Sequence, residues 1–166
     1  MKAAGILFIL LSAASVGLRI SAALKKRCKD VSRFLSSLSV LEYEISFLRT
    51  PLPQAFEKAS QIAVGDLQSV YRSVSQQMKN SRWLSPRSAV ENSLNEFPNE
   101  LFGEILLELS DMIGKYDLQA QLNGIETAKL QTSELLSGLE QERSLRSKTY
   151  KTLSICAGLA LVILLL

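Results

Sequence analysis

The chain is hydrophobic at both ends and amphipathic between them. Residues 3–18 carry no charge, the apolar run continues past Arg19 to Leu24, and residues 153–166 are also uncharged. A helix over 3–24 would be about 33 Å long, enough to cross a bilayer, whereas one over 153–166 would reach only about 21 Å. We predict an N-terminal transmembrane helix at residues 1–24. We also predict a C-terminal hydrophobic membrane segment at residues 149–166, whose depth stays open.

Each hydrophobic end has a cluster of basic residues beside it, on the side that faces the middle of the chain. Lysine and arginine are retained on the cytoplasmic side of short membrane segments, so both clusters predict a cytoplasmic middle. Because a strongly basic run directly after a cleavage site would disfavour export, we favour an uncleaved anchor over a secretory signal. The predicted membrane-orienting residues are Lys25, Lys26, Arg27 and Lys29 at one end and Arg143, Arg146, Lys148 and Lys151 at the other.

Apolar residues in the middle recur at steps of three and four, the period of an amphipathic helix. No stretch alternates with period two, which predicts no sheet. The last stretch starts at Leu118 and meets no breaker, so it predicts one helix of about 50 residues. Thr50, Asp66, Ser85 and Asp117 are predicted N-caps and Gly114 a C-cap. The predicted fold is all-α: an antiparallel six-helix bundle over residues 25–148, with the long last helix ending in the membrane segment.

Composition narrows the chemistry. Between Phe34 and Glu142 there are 15 acidic and 8 basic residues, which argues against a nucleic-acid partner. The chain has no histidine, so the commonest general base and metal ligand are missing. Cys28 and Cys156 are isolated, as in a reducing compartment. We therefore expect a non-enzyme without a cofactor or metal.

The fifth predicted helix carries a series of carboxylates at steps of four, four and three: Glu100, Glu104, Glu108 and Asp111. The simplest interpretation is a solvated face opposite the apolar stripe. The functional alternative is docking of a basic partner; a metal site would normally add histidines.

Other candidates are weaker. Glu42 and Glu44 are two residues apart and do not share a helix face, so caps or ion pairs with neighbouring helices are expected. Trp83 fits a plug in the core as well as a binding residue. Small residues at Ala13, Gly17 and Ser21 are typical of a contact face between membrane helices.

Several motifs together resemble the stage III sporulation protein AB family of endospore-forming bacteria. They are Leu41-Glu42-Tyr43-Glu44-Ile45 with the following Thr50-Pro51-Leu52-Pro53-Gln54-Ala55, then Gly114-Lys115-Tyr116-Asp117 with Gln121, and the ending Gly158-Leu159-Ala160-Leu161-Val162-Ile163-Leu164-Leu165. The resemblance runs essentially from end to end.

The resemblance implies a small helical bundle similar to the cytoplasmic domain of the type II secretion platform protein. It also implies a structural subunit, at the cell membrane and facing the mother-cell cytoplasm, of the complex that connects mother cell and forespore. The implied partners are a secretion-type ATPase and other subunits of that channel. The membrane is expected as a partner from the hydrophobic ends, and association with a second copy of the chain stays open. The alternative is a membrane-tethered adaptor or regulator that binds one soluble partner.

Overall fold

The described part of the chain forms six α-helices. In the computed structural model the backbone is described for residues 2–81, 83–114 and 117–165, and the side chains for residues 22–81, 83–114 and 117–145. Within these ranges every regular element is helical, as the hydrophobic periodicity predicted. The helices are α1 (Lys2–Ser46), α2 (Leu52–Ile62), α3 (Asp66–Asn80), α4 (Pro86–Glu96), α5 (Gly103–Ile113) and α6 (Leu118–Leu165).

The first and last helices, α1 and α6, are far longer than the four helices between them in the sequence. α1 continues without a break from the hydrophobic N-terminal stretch into the first amphipathic stripe, a run of 45 residues. α6 has 48 residues, which confirms the prediction of one helix of about 50. Its glycines at 124 and 138 do not interrupt it.

The chain divides into two compact units. Unit 1 comprises residues 1–29 and 137–166, and unit 2 comprises residues 30–136. In unit 1, the described buried side chains are Leu24 and Cys28 of α1 and Leu139 of α6. In unit 2, most of the predicted apolar stripe of α1 is buried, namely Val31, Phe34, Leu38, Leu41 and Ile45. Two of its predicted members differ, since Leu35 is half-buried and Leu48 is exposed.

Aromatic residues fill the centre of unit 2. The rings of Phe34 in α1 and Phe102, just before α5, have centroids 4.7 Å apart. Phe56 of α2 meets Tyr71 of α3 edge to face, with centroids 5.6 Å apart. The hydroxyl groups of Tyr71 and Ser37 are 3.1 Å apart, so this buried phenol is hydrogen-bonded. Burial raises the pKa of Tyr71 above its usual range, which keeps it neutral.

Helices α2 to α5 pack one on the next in chain order. Ser75 of α3 donates to the carbonyl oxygen of Pro53 at 2.6 Å, and Gln68 reaches the carbonyl oxygen of Ser60 at 3.1 Å. The first contact joins the later part of α3 to the start of α2, and the second joins the start of α3 to the end of α2. The two helices are therefore antiparallel. Gln77 then reaches Ser93 of α4 at 3.1 Å.

The predicted caps are partly right. The Ser85 hydroxyl accepts from the backbone N–H of Ser88 at 3.1 Å, and the Asp117 carboxylate accepts from the N–H groups of Gln119 and Ala120 at 3.2 Å. Gly114 is the C-cap of α5.

Two cap predictions were wrong. α2 starts at Leu52 with Pro51 in the cap position, because Thr50 uses its hydroxyl elsewhere. α3 starts at Asp66 with Gly65 as its cap. Gly65 has φ +61°, a conformation that glycine adopts without strain, and Asp66 instead places its charge in the first turn.

The predicted membrane segments at residues 1–24 and 149–166 lie almost wholly outside the residues whose side chains are described. The same holds for the predicted membrane contact face, Ala13, Gly17 and Ser21. It also holds for three members of the second basic cluster, Arg146, Lys148 and Lys151. Among the described residues, no helix is both long and apolar enough to span a bilayer. The described members of the basic clusters, Lys25, Lys26, Arg27, Lys29 and Arg143, are all exposed.

Candidate partner-binding surfaces

A buried carboxylate fixes the turn between α1 and α2. The side chain of Glu44 is only 7% exposed. It accepts hydrogen bonds from the ammonium group of Lys58 in α2 at 2.8 and 2.9 Å and from the Thr50 hydroxyl at 2.6 Å. Its backbone carbonyl accepts from the N–H of Thr50 at 2.9 Å. We call Glu44, Thr50 and Lys58 the Glu44 cluster.

The electrostatics of the Glu44 cluster favour the ionised carboxylate. The hydrogen bond from Lys58 is the main cause that lowers the pKa of Glu44, with a further contribution from the hydrogen bond from Thr50, while burial opposes both. The cluster therefore explains why Glu44 and Thr50, six residues apart, belong to one motif: together they close a turn.

The neighbouring glutamate points to a different helix. Glu42 binds Lys129 of α6, with 2.7 Å between the carboxylate oxygen and the ammonium nitrogen. Of the two roles expected for Glu42 and Glu44, caps or ion pairs with neighbouring helices, both residues have the second. Since one pair ties α1 to α6 and the other ties α1 to α2, the end of α1 is held on two sides, and the residue between the two glutamates faces outward.

That outward side carries large apolar residues. Tyr43 is 51% exposed, Phe47 77% and Leu48 51%. Tyr43 and Phe47 are one turn apart, and their ring centroids are separated by 5.5 Å. We call these three residues the α1 aromatic surface. Exposed aromatic side chains are typical of protein-binding sites. Tyr43 and Phe47 fall opposite the buried stripe of α1, so its periodicity indicates their exposure. Leu48, which the periodicity assigned to the stripe, follows the end of α1 and is exposed instead.

The predicted carboxylate series is not one continuous free face. Glu100 lies in the turn before α5, and Glu104 is exposed in the first turn of the helix. Glu108 accepts from Gln131 of α6 at 2.8 Å, and Asp111 forms an ion pair with Arg87 of α4. The last two carboxylates thus hold α5 to its neighbours. Docking by this series stays a prediction, with Glu100 and Glu104 as its accessible part.

α5 and α6 approach each other closely at Gly124. A Cβ atom added to this glycine would lie 2.4 Å from the Cβ atom of Met112. A shallow groove of about 70 Å³ beside the contact is lined by Glu108, Thr127 and Gln131, among others. Pockets that hold drug-sized ligands are several times larger, so the groove does not suit a cofactor.

Trp83, in the turn between α3 and α4, is 97% exposed. This excludes the core plug that the sequence allowed and leaves a surface role. Among the described residues, no group of three acidic or cysteine side chains is placed to hold a metal ion.

The fold and these surfaces define a class of protein: a strand-free six-helix bundle, in its described part, with two long outer helices and an exposed aromatic surface on one of them. The chain belongs to the stage III sporulation protein AB family, whose sequence model matches residues 2–166. Family membership supports a role in sporulation.

Two similar proteins carry the name of this family. The chain is 24% identical over 171 residues to the stage III sporulation protein AB of Bacillus subtilis (strain 168), and the match covers 100% of this chain and 99% of that protein. A solved structure of stage III sporulation protein AB (SpoIIIAB) superposes with a TM-score of 0.62 at 21% identity, covering 70% of this chain and 94% of the other. The second similarity concerns the fold.

Proposed function

We propose that this chain is a structural, platform-like subunit of the mother-cell-to-forespore channel complex and that it links the membrane to a cytoplasmic secretion-type ATPase without catalysing a reaction. Family membership over residues 2–166 supports the sporulation setting. The hydrophobic ends with their basic clusters support a membrane anchor and a cytoplasmic bundle. The α1 aromatic surface is the observation that carries the proposal of a protein partner.

The α1 aromatic surface is the best anchor for this partner. Tyr43, Phe47 and Leu48 leave a large apolar area in water, and a few such side chains usually supply most of the energy of an interface. The body around them is acidic, with 15 acidic and 8 basic residues between Phe34 and Glu142. A complementary partner presents an apolar site bordered by lysine and arginine.

The first test combines two substitutions on this surface. Tyr43→Ser with Phe47→Ser removes both rings from positions that are more than half exposed, so the bundle keeps its helicity and its thermal midpoint. Spore formation and co-purification of the ATPase with the full chain from a sporulating host are expected to fall at least tenfold. Trp83→Ser, which removes an even more exposed ring from another part of the surface, is the control.

The predicted acidic surface is tested in parallel with Glu100→Lys and Glu104→Lys. Glu108 and Asp111 are left intact because reversing them would also break contacts of α5. Loss of ATPase from this variant alone would move the docking site from α1 to the start of α5. Normal spores from a deletion strain would contradict the platform function, and recovery of a single unrelated soluble partner would favour the adaptor.

A further inference from the structure

The basic residues after the N-terminal hydrophobic stretch surround much of α1 instead of lining one face. Lys25, Lys26, Arg27 and Lys29 are all exposed. At about 100° per residue, they occupy an arc of roughly 200°, with Lys25 and Lys29 on one side and Arg27 at the far edge. We call these four residues the basic arc.

The remaining part of the helix circumference is already covered by protein. Leu24 is 6% exposed and Cys28 is 7% exposed, and both project into the gap that the basic arc leaves. Ala22 and Ala23 are the other exposed residues of this segment. A helix that lies flat in a membrane interface needs a large apolar face directed at the lipid, and residues 22–29 have none to offer.

The charges of the basic arc are available to an external anion. Within the described part of the chain, none of the four forms an ion pair with an acidic side chain. Asp30, the adjacent acidic residue, is half-buried. Four cations within five residues attract an anionic membrane surface, and each of them contributes a similar amount of binding free energy there.

We propose that the basic arc binds the phosphate groups of anionic phospholipids, and that α1 meets the membrane surface steeply, so that headgroups contact it from every exposed side. This inference rests on the membrane anchor of the proposed function. To that anchor it adds a ligand, the anionic headgroups of the membrane surface. It also adds the orientation of α1 relative to that surface, which follows from the placement of the four side chains around the helix.

The test uses the full chain reconstituted in vesicles of phosphatidylcholine and phosphatidylglycerol. Spin-labelled analogues of the two lipids report which one the protein immobilises. The wild type is expected to select phosphatidylglycerol severalfold. Two double variants, Lys25→Gln with Lys29→Gln and Lys26→Gln with Arg27→Gln, remove charge from different sides of α1. Both are expected to lower the selectivity by the same factor, and the quadruple variant is expected to abolish it.

The controls separate the alternatives. Arg49→Gln with Arg72→Gln removes two exposed cations from the body of the protein and is expected to leave lipid selectivity unchanged. An effect of only one double variant would overturn the steep orientation, and an unchanged quadruple variant would overturn lipid binding. Loss of selectivity in inorganic phosphate, compared with chloride at equal ionic strength, would assign the site to free phosphate. Failure of the chain to float with the vesicles would instead overturn the membrane anchor itself.

Discussion

At the scale of single residues, Glu44 shows how a polar side chain organises an apolar bundle. It lies next to the exposed Tyr43, yet its carboxylate is almost completely removed from water. A buried charge is tolerated only when it is paired and hydrogen-bonded, and Lys58 and Thr50 satisfy both conditions. Removing Lys58 or Thr50 would leave the buried carboxylate without one of its hydrogen bonds.

Glu44→Gln is expected to destabilise unit 2 clearly more than Glu57→Gln. The second substitution removes the carboxylate of the Lys79–Glu57 pair, whose side chains are 43% and 55% exposed, and pairs of that kind contribute about 0–1 kcal/mol. Thermal unfolding at neutral pH measures the difference. Equal shifts of the midpoint would mean that the Glu44 cluster is no stronger than a surface ion pair.

The same cluster predicts a pH dependence. Because the pKa of Glu44 is lowered in the folded protein, its contribution to stability is complete above the ordinary glutamate pKa of about 4.3 and is lost as the pH falls further. The stability gap between wild type and Glu44→Gln is therefore expected to close on acidification below that value. Chemical unfolding over a pH series checks this, and a gap that persists at the lowest pH would contradict it.

At the scale of helices, the contact of α5 with α6 depends on a residue without a side chain. Gly124 lowers the intrinsic helix propensity of α6 by about 1 kcal/mol relative to alanine. The missing side chain allows α5 to pack closely against α6, because Met112 of α5 occupies the space that a Cβ atom would need. At Gly138, farther along the same helix, no atom of the described residues outside the local helix backbone lies within 4 Å of that position.

The two glycines are therefore expected to respond oppositely to alanine. Gly124→Ala forces α5 and α6 apart and should cost about 1–3 kcal/mol, whereas Gly138→Ala should stabilise the helix by up to about 1 kcal/mol. Denaturant unfolding of the two variants measures both signs. Stabilisation by Gly124→Ala would show that the two helices separate without cost.

At the scale of the whole molecule, the orientation of the bundle can be tested with thiols. Cys28 is buried, so the native thiol is a poor reporter, and a cysteine at the exposed Ser81 in a background lacking Cys28 and Cys156 is preferable. A membrane-impermeant reagent is expected to label Ser81→Cys in inside-out vesicles and not in intact cells. Labelling in intact cells would reverse the topology and remove the proposed ATPase partner.

The sequence predicted the architecture better than the surfaces. Apolar periodicity located six helices because burial of one stripe per helix is a local property of the chain. It also implied separate partners for Glu42 and Glu44. It could not reveal that Glu108 and Asp111 are engaged by α6 and α4, since such contacts depend on how distant helices pack. The exposure of Trp83 was open for the same reason.

The pairing of Glu42 with Lys129 joins residues separated by 87 positions, which has a consequence for biosynthesis. Neighbouring helices from α2 to α5 can associate as they leave the ribosome, because their contacts are close in sequence. α1 must wait for α6, the last of these six helices to be made, before the side that carries Glu42 is covered. During translation, α1 can therefore pair with α2 through Glu44 and Lys58 well before its other side is covered by α6.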